Sequence, residues 1–511
     1  MIPMTLTELA RATSGRLGAN TDGAVTVTGP VVIDSRAVEP GALFVALPGE
    51  RVDGHDFAPA ALAAGAAAVL AARDVAGPCV VVEDVQLALG ALARAVRDRL
   101  SGLAVVAVTG SSGKTSTKDL LAQVLAGAGE TVAPVNSFNN EIGVPLTLLR
   151  CTATTRYLIS EMGARMPGNI SYLCDLTRPT VGVVLNVGAA HAGVFGSRQA
   201  TAATKGELVE ALPSAADGGV AVLNADDANV AAMADRTAAR VVRFSAQGRP
   251  DAPVRARDVR LDDAARATFT LCLHGSGPGA AGAEDGDEVE VALQVHGAHH
   301  VSNALAVAAV AHVLGLPAPR IAQLLSTATA TSSGRMSVHR LDGGPTIIDD
   351  AYNANPDSMA AALAALVAMR PAGGRAWAVL GEMLELGPDA ADDHRRITAL
   401  AAELGVDQVV AVGEGGALYG TAPHLLSVPD LEAARDLLTR RLGPRDVVLV
   451  KASRAIGLDA LARALRESPE IAGLPPSGVA AGQDVRGARG LDGSGPRAGG
   501  PSRHEAGEVG A

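Results

Sequence analysis

The chain is predicted to be an α/β protein of three domains followed by a disordered tail, and three observations predict it. Its 511 residues leave room for about three domains at roughly 150 residues each. Short apolar runs alternate with helical segments along most of the length, the pattern of mostly parallel sheets covered on both faces. A glycine loop, TGSSGKT at 109–115, stands between one such run and a helical repeat.

Composition narrows the partners. Hydrophobic residues make up 48% but aromatics only 2%, so the core must be built from Val, Leu and Ala, with helices lying close to sheets. A net charge of −11 argues against nucleic acid or an anionic membrane as the main partner. Cys79, Cys151, Cys174 and Cys272 lie far apart without a C-x-x-C pair, which suggests neither a zinc site nor a disulfide framework. The opening MIPMTLTELARATSG lacks a basic segment followed by an apolar core, and no run reaches the roughly 18 apolar residues of a membrane span. A cytoplasmic monomer is expected.

Residues 1–100 open with helical TLTELARAT, pass through β-rich VTVTGPVVIDSR and ALFVAL, and reach helical ALAAGAAAVLAAR, a small α/β domain. In 101–330 the strands LAVVAV, RYLISE, TVGVVLNVG and VAVLNADD alternate with helices, so functional loops should gather at the strands' carboxyl ends. HGSGPGAAGAEDGDE at 274–288 reads as a long solvated hairpin loop. A second doubly wound unit fills 331–471, with TIIDD, a helix from Asp357, AWAVLGEM, DQVVAVG and DVVLVKAS. Residues 472–511 are rich in Gly, Pro and Ala and cannot bury enough surface to offset chain entropy, so disorder is expected.

The loop is a variant. The spacing G-x-x-x-x-G-K-[ST] requires glycine where Val108 stands, while Gly110 and Gly113 remain. Thr109, Gly110, Ser111, Ser112, Gly113, Lys114, Thr115 and Ser116 would cradle ATP phosphates, Lys114 meeting the terminal ones and the Thr115 hydroxyl a Mg²⁺ ion. An ordinary serine-rich turn is the plain alternative. Glu161 ends RYLISE and His191 follows VGVVLNVG, so both would project from the edge that carries Thr115, completing an oxygen-rich metal site with one imidazole. Each alone also suits a surface carboxylate or a loop histidine. Lys205, one turn into the helix ATKGELVEAL, reads by itself as a solvated lysine.

Taken in order, TGSSGKTSTK, NSFNNEIGVP (136–145), EMGA (161–164), NVGAAHAGVFGS (186–197), ATKGEL, VLNADDANV, SGRM (333–336), IDDAYNANPDSM (348–359), LGEMLELG (380–387) and VLVKASR (448–454) resemble the Mur ligases. The similarity runs from about residue 5 to 466. It implies a UDP-substrate-binding N-terminal domain, a central P-loop ATP domain and a C-terminal Rossmann-like domain. The implied reaction joins D-alanyl-D-alanine to UDP-N-acetylmuramoyl-tripeptide through an acyl phosphate, releasing ADP and phosphate and making the pentapeptide precursor of peptidoglycan.

The resemblance also assigns residues. It places Lys114, Lys205 and His191 in catalysis, and Thr115, Glu161, His191 and Lys205 at Mg²⁺, with Lys205 carbamylated. Asn303, Arg335 and Asp350 would hold ATP at the adenine, a phosphate and the ribose, and Ser35 and Arg36 the substrate diphosphate, although Arg36 equally suits a surface cation. Asn139 and Asn140, with Glu141, would lie near the substrate peptide and metals; Tyr352, Asn353 and Asn355 would line the nucleotide or dipeptide side, and Lys451 and Arg454 would recognise a substrate carboxylate, although a helix-start surface role suits them equally. One departure stands out, since the family's adenine segment G-x-H-N-x-x-N reads here with His300 in place of the first asparagine, which puts base selectivity in question. Rival readings are a Mur ligase adding a single amino acid, a folylpolyglutamate synthetase-like ligase and a non-catalytic sensor of ATP and UDP-sugar peptide. The absent DNPR signature and the retention of Lys114, Glu161, His191 and Lys205 weigh against them.

Overall fold

The computed structural model describes residues 1–49, 52–188, 197–274 and 286–473. The first hundred residues form a five-stranded sheet from β1 (Arg16–Leu17), β2 (Val31–Val32), β3 (Leu43–Val45), β4 (Ala68–Ala71) and β5 (Cys79–Val81), in the order β1-β5-β4-β3-β2. Only the β1–β5 pair is antiparallel. LFV and AVLA are wholly buried, as short continuous apolar runs are when a parallel strand is covered on both faces. Helix α1 (Val85–Asp98) begins where the Asp84 carboxylate accepts from the Leu87 N–H, and it buries Leu89, Leu92, Ala93 and Val96.

A nine-stranded sheet follows, built from β6 (Ala104–Thr109), β7 (Thr131–Val132), β8 (Tyr157–Glu161), β9 (Val181–Val184), β10 (Val220–Asn224), β11 (Arg240–Ser245), β12 (Val254–Leu261), β13 (Arg266–Leu273) and β14 (Asp287–His296). Its order is β14-β13-β12-β11-β10-β9-β6-β8-β7, parallel from β7 to β12, with β13 and β14 added antiparallel. The strands flanking the Gly/Ala/Asp-rich stretch therefore pair with each other; residues 275–285 lie outside the described residues. In the centre, Glu161 stands opposite Val108 and Val184 opposite Thr109, so three strand ends meet at one edge. Helix α2 (Lys114–Ala126) follows β6 and α3 (Arg198–Glu210) precedes β10. Helix α4 (His300–Val313) is apolar nearly all round and buries Ala304 through Ala311 between α2 and strands β10 to β12. Alanine there lets helix and sheet approach closely, as the aromatic-poor composition demands.

The third sheet comprises β15 (Ser337–Arg340), β16 (Thr346–Asp349), β17 (Ala376–Leu380), β18 (Gln408–Val412), β19 (Leu425–Val428) and β20 (Val447–Lys451). Their order is β15-β16-β20-β17-β18-β19, with only β15 antiparallel. Helix α5 (Pro356–Ala368) starts one residue before the expected Asp357, because Asn355 caps it through the Ser358 N–H and Pro356 suits the first turn. The four cysteines are buried and form no disulfide. Among the described residues no helix is long and apolar enough to cross a membrane. The expected disordered tail falls, from residue 474 onward, outside the described residues.

One buried carboxylate ties together the starts of two inner strands of this sheet, β20 and β17. Asp446, 4% exposed, accepts from the Arg375 and Gly443 N–H groups, from the Arg375 guanidinium and from the indole N–H of Trp377, the chain's single tryptophan. Asp446→Ala leaves those donors unsatisfied and is expected to cost about 3 kcal/mol, read as a lowered urea midpoint with an unchanged slope.

Candidate active site

The apolar strand β6 delivers the chain into the loop 110–113, and Gly113 takes a left-handed backbone (φ +81°) before Lys114 opens α2. A side chain at Gly113 would be doubly penalised, by that backbone and by the Asn303 Oδ1 lying 2.7 Å from where its Cβ would sit. Two neighbours brace the loop. The Asn186 amide accepts from the Ser112 N–H at 2.9 Å and donates to the Ser112 carbonyl at 3.2 Å, while the Gly188 N–H donates to the Ser111 hydroxyl at 2.9 Å. Lys114 Nζ donates to the Gly110 carbonyl at 2.7 Å. Thr109 is fully buried with its hydroxyl on the Met162 carbonyl, so it supports the loop from behind.

Above the loop lies a cavity of about 680 Å³. The central lobe lines it with Ser111 to Ser116, Asn139, Asn140, Glu161, Lys205 and Asn303, and the third lobe with Arg335, Asp350, Tyr352, Asn353 and Lys451. Most residues singled out from the sequence thus face one space. Ser35 and Arg36 do not: they sit on an exposed turn of the first lobe, where Asp34 pairs with Arg36 at 2.7 Å. Arg454 lines a smaller neighbouring cavity of about 190 Å³. His191 lies outside the described residues.

Glu161 is the focus of the central-lobe side. It is 1% exposed, and its Oε1 accepts from Asn139 Nδ2 at 2.7 Å and from the Thr115 hydroxyl at 3.2 Å. Among the described residues its Oε2 is buried with no hydrogen-bond partner. A buried carboxylate oxygen without a donor calls for a cation. Lys205, 3% exposed, faces the same space, and burial together with the Lys114 ammonium holds its pKa well below 10.5. Lys114 is lowered too, first by burial, with Glu161 opposing and Arg335 adding to the effect. No three His, Cys, Asp or Glu side chains cluster among the described residues; the oxygen donors beside the orphaned Oε2 are the rest of the Glu161 carboxylate and the Thr115 hydroxyl.

From the third lobe, Arg335 Nη2 donates to the Ser137 hydroxyl at 3.1 Å, and Ser137 is 3.0 Å from Thr115 Oγ1. Ser137 and Asn186 are not singled out from the sequence, although both lie in motif segments in the loops that follow β7 and β9, where a polar side chain is the available signal. The guanidinium carbons of Arg335 and Arg454 lie 4.3 Å and 4.8 Å from the centre of the Tyr352 ring. Lys451, 2% exposed, donates to Asp350 Oδ2 at 2.6 Å and to the Asn353 carbonyl at 2.8 Å, while the Met336 N–H donates to Asp350 Oδ1 at 3.1 Å. The two residues expected to hold different substrates are therefore partners of one another. At the start of α4, His299 is pushed down to about 4 and His300 well below its usual value, both chiefly by burial, so both rings are neutral near pH 7.

The Mur ligase middle domain matches residues 108–311, the Mur ligase glutamate ligase domain 334–454, and the Mur ligase catalytic domain 30–104. The chain belongs to the Mur ligase family. The first of these Mur ligase matches runs from the end of β6 into α4, and the second begins at Gly334 and ends at Arg454. Among similar Mur ligases, the UDP-N-acetylmuramoyl-tripeptide–D-alanyl-D-alanine ligase of Mycobacterium tuberculosis is 48% identical over 91% of this chain and 98% of its own length. The Escherichia coli ligase of the same name is 36% identical over 92% and 99%. A crystal structure of MurF from Acinetobacter baumannii superposes with a TM-score of 0.80 at 30% identity, covering 91% of this chain and 99% of that one. MurF from Thermotoga maritima in complex with ADP superposes at 0.73 with 29% identity, over 86% and 98%.

Proposed function

We propose that this Mur ligase uses ATP to join D-alanyl-D-alanine to UDP-N-acetylmuramoyl-tripeptide, making the pentapeptide precursor of peptidoglycan. The observation that carries the reading is convergence: Lys114, the Thr115–Glu161 pair with its unsatisfied oxygen, and Lys205 meet Arg335 and Asp350 across one cavity. Three lobes divide the work: residues 1–100 take the UDP end, with Ser35 and Arg36 open to its diphosphate, 101–330 take the ATP phosphates, and 331–471 close over both.

A carboxylate resists attack by an amine because its charge repels the nucleophile and its oxygen leaves poorly. In the first step an oxygen of the tripeptide's terminal carboxylate attacks the γ-phosphorus of ATP, and the bond to the ADP oxygen breaks. Lys114 and Arg335, which both line the cavity, would meet the charge that grows on the transferring group. In the second step the dipeptide amine, having lost a proton, attacks the acyl carbon; the tetrahedral adduct expels phosphate and leaves an amide. Mg²⁺ held by Glu161 and Thr115, with His191, would neutralise phosphate charge. Carbamylated Lys205 would complete that donor set: the uncharged amine that burial favours adds to CO₂ and sheds a proton, turning a nitrogen base into an anionic oxygen ligand. Water would hydrolyse the acyl phosphate, so the enclosing lobes have a chemical purpose.

The test is phosphate release. Turnover that requires ATP, UDP-muramoyl-tripeptide and D-alanyl-D-alanine together supports the reading; turnover with a lone amino acid or a folate in place of the dipeptide overturns it.

His300 bears on the base. Asn303 Nδ2 can only donate, so His300 Nδ1, 3.3 Å away, accepts and the neutral ring carries its proton on Nε2. A lone ring donor recognises a purine ring nitrogen but cannot pair with the 6-amino group as an asparagine amide does. His300→Asn is expected to raise the kcat/KM preference for ATP over GTP about tenfold, the worth of one hydrogen bond.

A further inference from the structure

The second turn of α2 carries a buried polar cluster that touches neither the phosphates' loop nor the cavity. Lys118 and Asp119, each 4% exposed, form an ion pair, and both engage Ser332, more than two hundred residues away. Asp119 Oδ2 accepts from the Ser332 N–H at 2.9 Å, and Oδ1 from its hydroxyl at 3.0 Å. Lys118 Nζ donates to that same hydroxyl oxygen at 3.2 Å and to the Pro134 carbonyl at 3.3 Å. One turn further along α2, the Gln123 amide receives the Thr329 N–H at 3.0 Å and donates to the Thr329 carbonyl at 2.7 Å.

Residues 329–332 are thus fastened to the helix that begins at the phosphate loop. Two residues later the partners change. The Gly334 carbonyl accepts from the Tyr352 N–H at 3.1 Å, and the Met336 N–H donates to Asp350 at 3.1 Å, both in the third lobe. The crossing is confined to Ser333 and Gly334, and the backbone around it is unusual: Gly334 stands at φ +68° and Met336, which bears a side chain, at φ +51°. Between them Arg335 reaches back to Ser137 beside Thr115. A buried ion pair is a poor device for stability alone, because desolvation consumes most of its attraction, but three polar bonds to one serine define a single geometry.

We infer that Asp119, with Lys118 and Ser332, is a positioning cluster: it fixes the central-lobe end of the linker so that the two-residue crossing returns Arg335 to the phosphate loop. The inference rests on the proposed use of ATP. Arg335 touches the nucleotide site, whereas Asp119 and Ser332 act only through the linker.

The test is a cycle of Ser332→Ala, Arg335→Ala and the double variant, read by affinity for a non-hydrolysable ATP analogue and by the KM for ATP against kcat. Ser332→Ala keeps the backbone bond to Asp119 and is mild enough to fold. It is expected to weaken analogue binding and raise the KM by about tenfold, since small misplacements of a positioned group carry losses of this order. Arg335→Ala should weaken binding further, the double variant should be no worse than Arg335→Ala alone, and Ser332→Thr, which restores a hydroxyl, should recover most of the loss. Additive losses, or a Ser332→Ala protein that binds as tightly as the parent, overturn the inference. Failure of the parent protein to bind the analogue would instead overturn the proposed use of ATP.

Discussion

Replacing Lys114 by alanine is expected to lower kcat/KM by about a thousandfold or more, the range found when a single cation is removed from a transferring phosphoryl group. The size follows from where the ammonium sits. It lies at the first residue of α2, 2.7 Å from the Gly110 carbonyl, in a site where burial already works against its charge and Glu161 sustains it. In such surroundings a fixed charge is worth far more than in water, and no neighbour replaces it: Arg335 arrives from the third lobe and is occupied with Ser137 and Tyr352. Single-turnover measurement of ADP formation checks the point, because the loss should fall on phosphoryl transfer. A variant slowed only in the later amide-forming step would contradict the role given to Lys114.

Lys205→Ala is expected to lose activity on a similar scale, about a thousandfold, since the metal would lose a charged donor next to the reacting phosphate. Partial recovery on adding a small carboxylate such as formate distinguishes a missing oxygen ligand from a missing lysine charge; an added amine that rescues instead would overturn the carbamate. Stability should move in the opposite direction. Because the folded-state pKa lies below the unfolded value of 10.5, the unfolded chain binds the extra proton between the two values. In CO₂-free buffer the amine therefore opposes folding near neutral pH and ceases to do so as pH rises toward 10.5. Lys205→Met, apolar and of similar length, is accordingly expected to unfold a few degrees higher than the parent at pH 7, and the gain should vanish at alkaline pH.

What the sequence makes legible is what a short window contains. The run LAVVAV, two glycines and a helical repeat suffice to place β6, the phosphate loop and α2, because strand period, turn chemistry and helix period are all local signals. Glu161 and Thr115 are readable as neighbours by one further step, that carboxyl ends of parallel strands share an edge, and the register Glu161–Val108 realises it. Pairings made across the chain are not legible in this way. Lys118 and Asp119 look like a solvated charge pair on a helix, and nothing near them announces Ser332. Asp350 and Lys451, assigned separately to ribose and carboxylate, are brought within 2.6 Å by adjacent strands β16 and β20, a strand order that no local pattern specifies. Ser35 and Arg36 resemble a family motif without sharing the cavity, since they sit on a turn between β2 and β3 of a different sheet.

Helix α4 carries one more consequence. Its buried stretch from Ala304 to Ala311 is alanine apart from Leu305, Val307 and Val310, so few long side chains could swing aside, and it is wedged between α2 and three strands with its first turn forming the cavity wall at His300. That wall is the least compliant surface a bound molecule meets, while the lining at Gly163 to Met166 and at Tyr352, Asn353 and Asn355 is made of loop. Inhibitors enlarged toward the helix should lose affinity steeply with each added atom, and those enlarged toward the loops should find room.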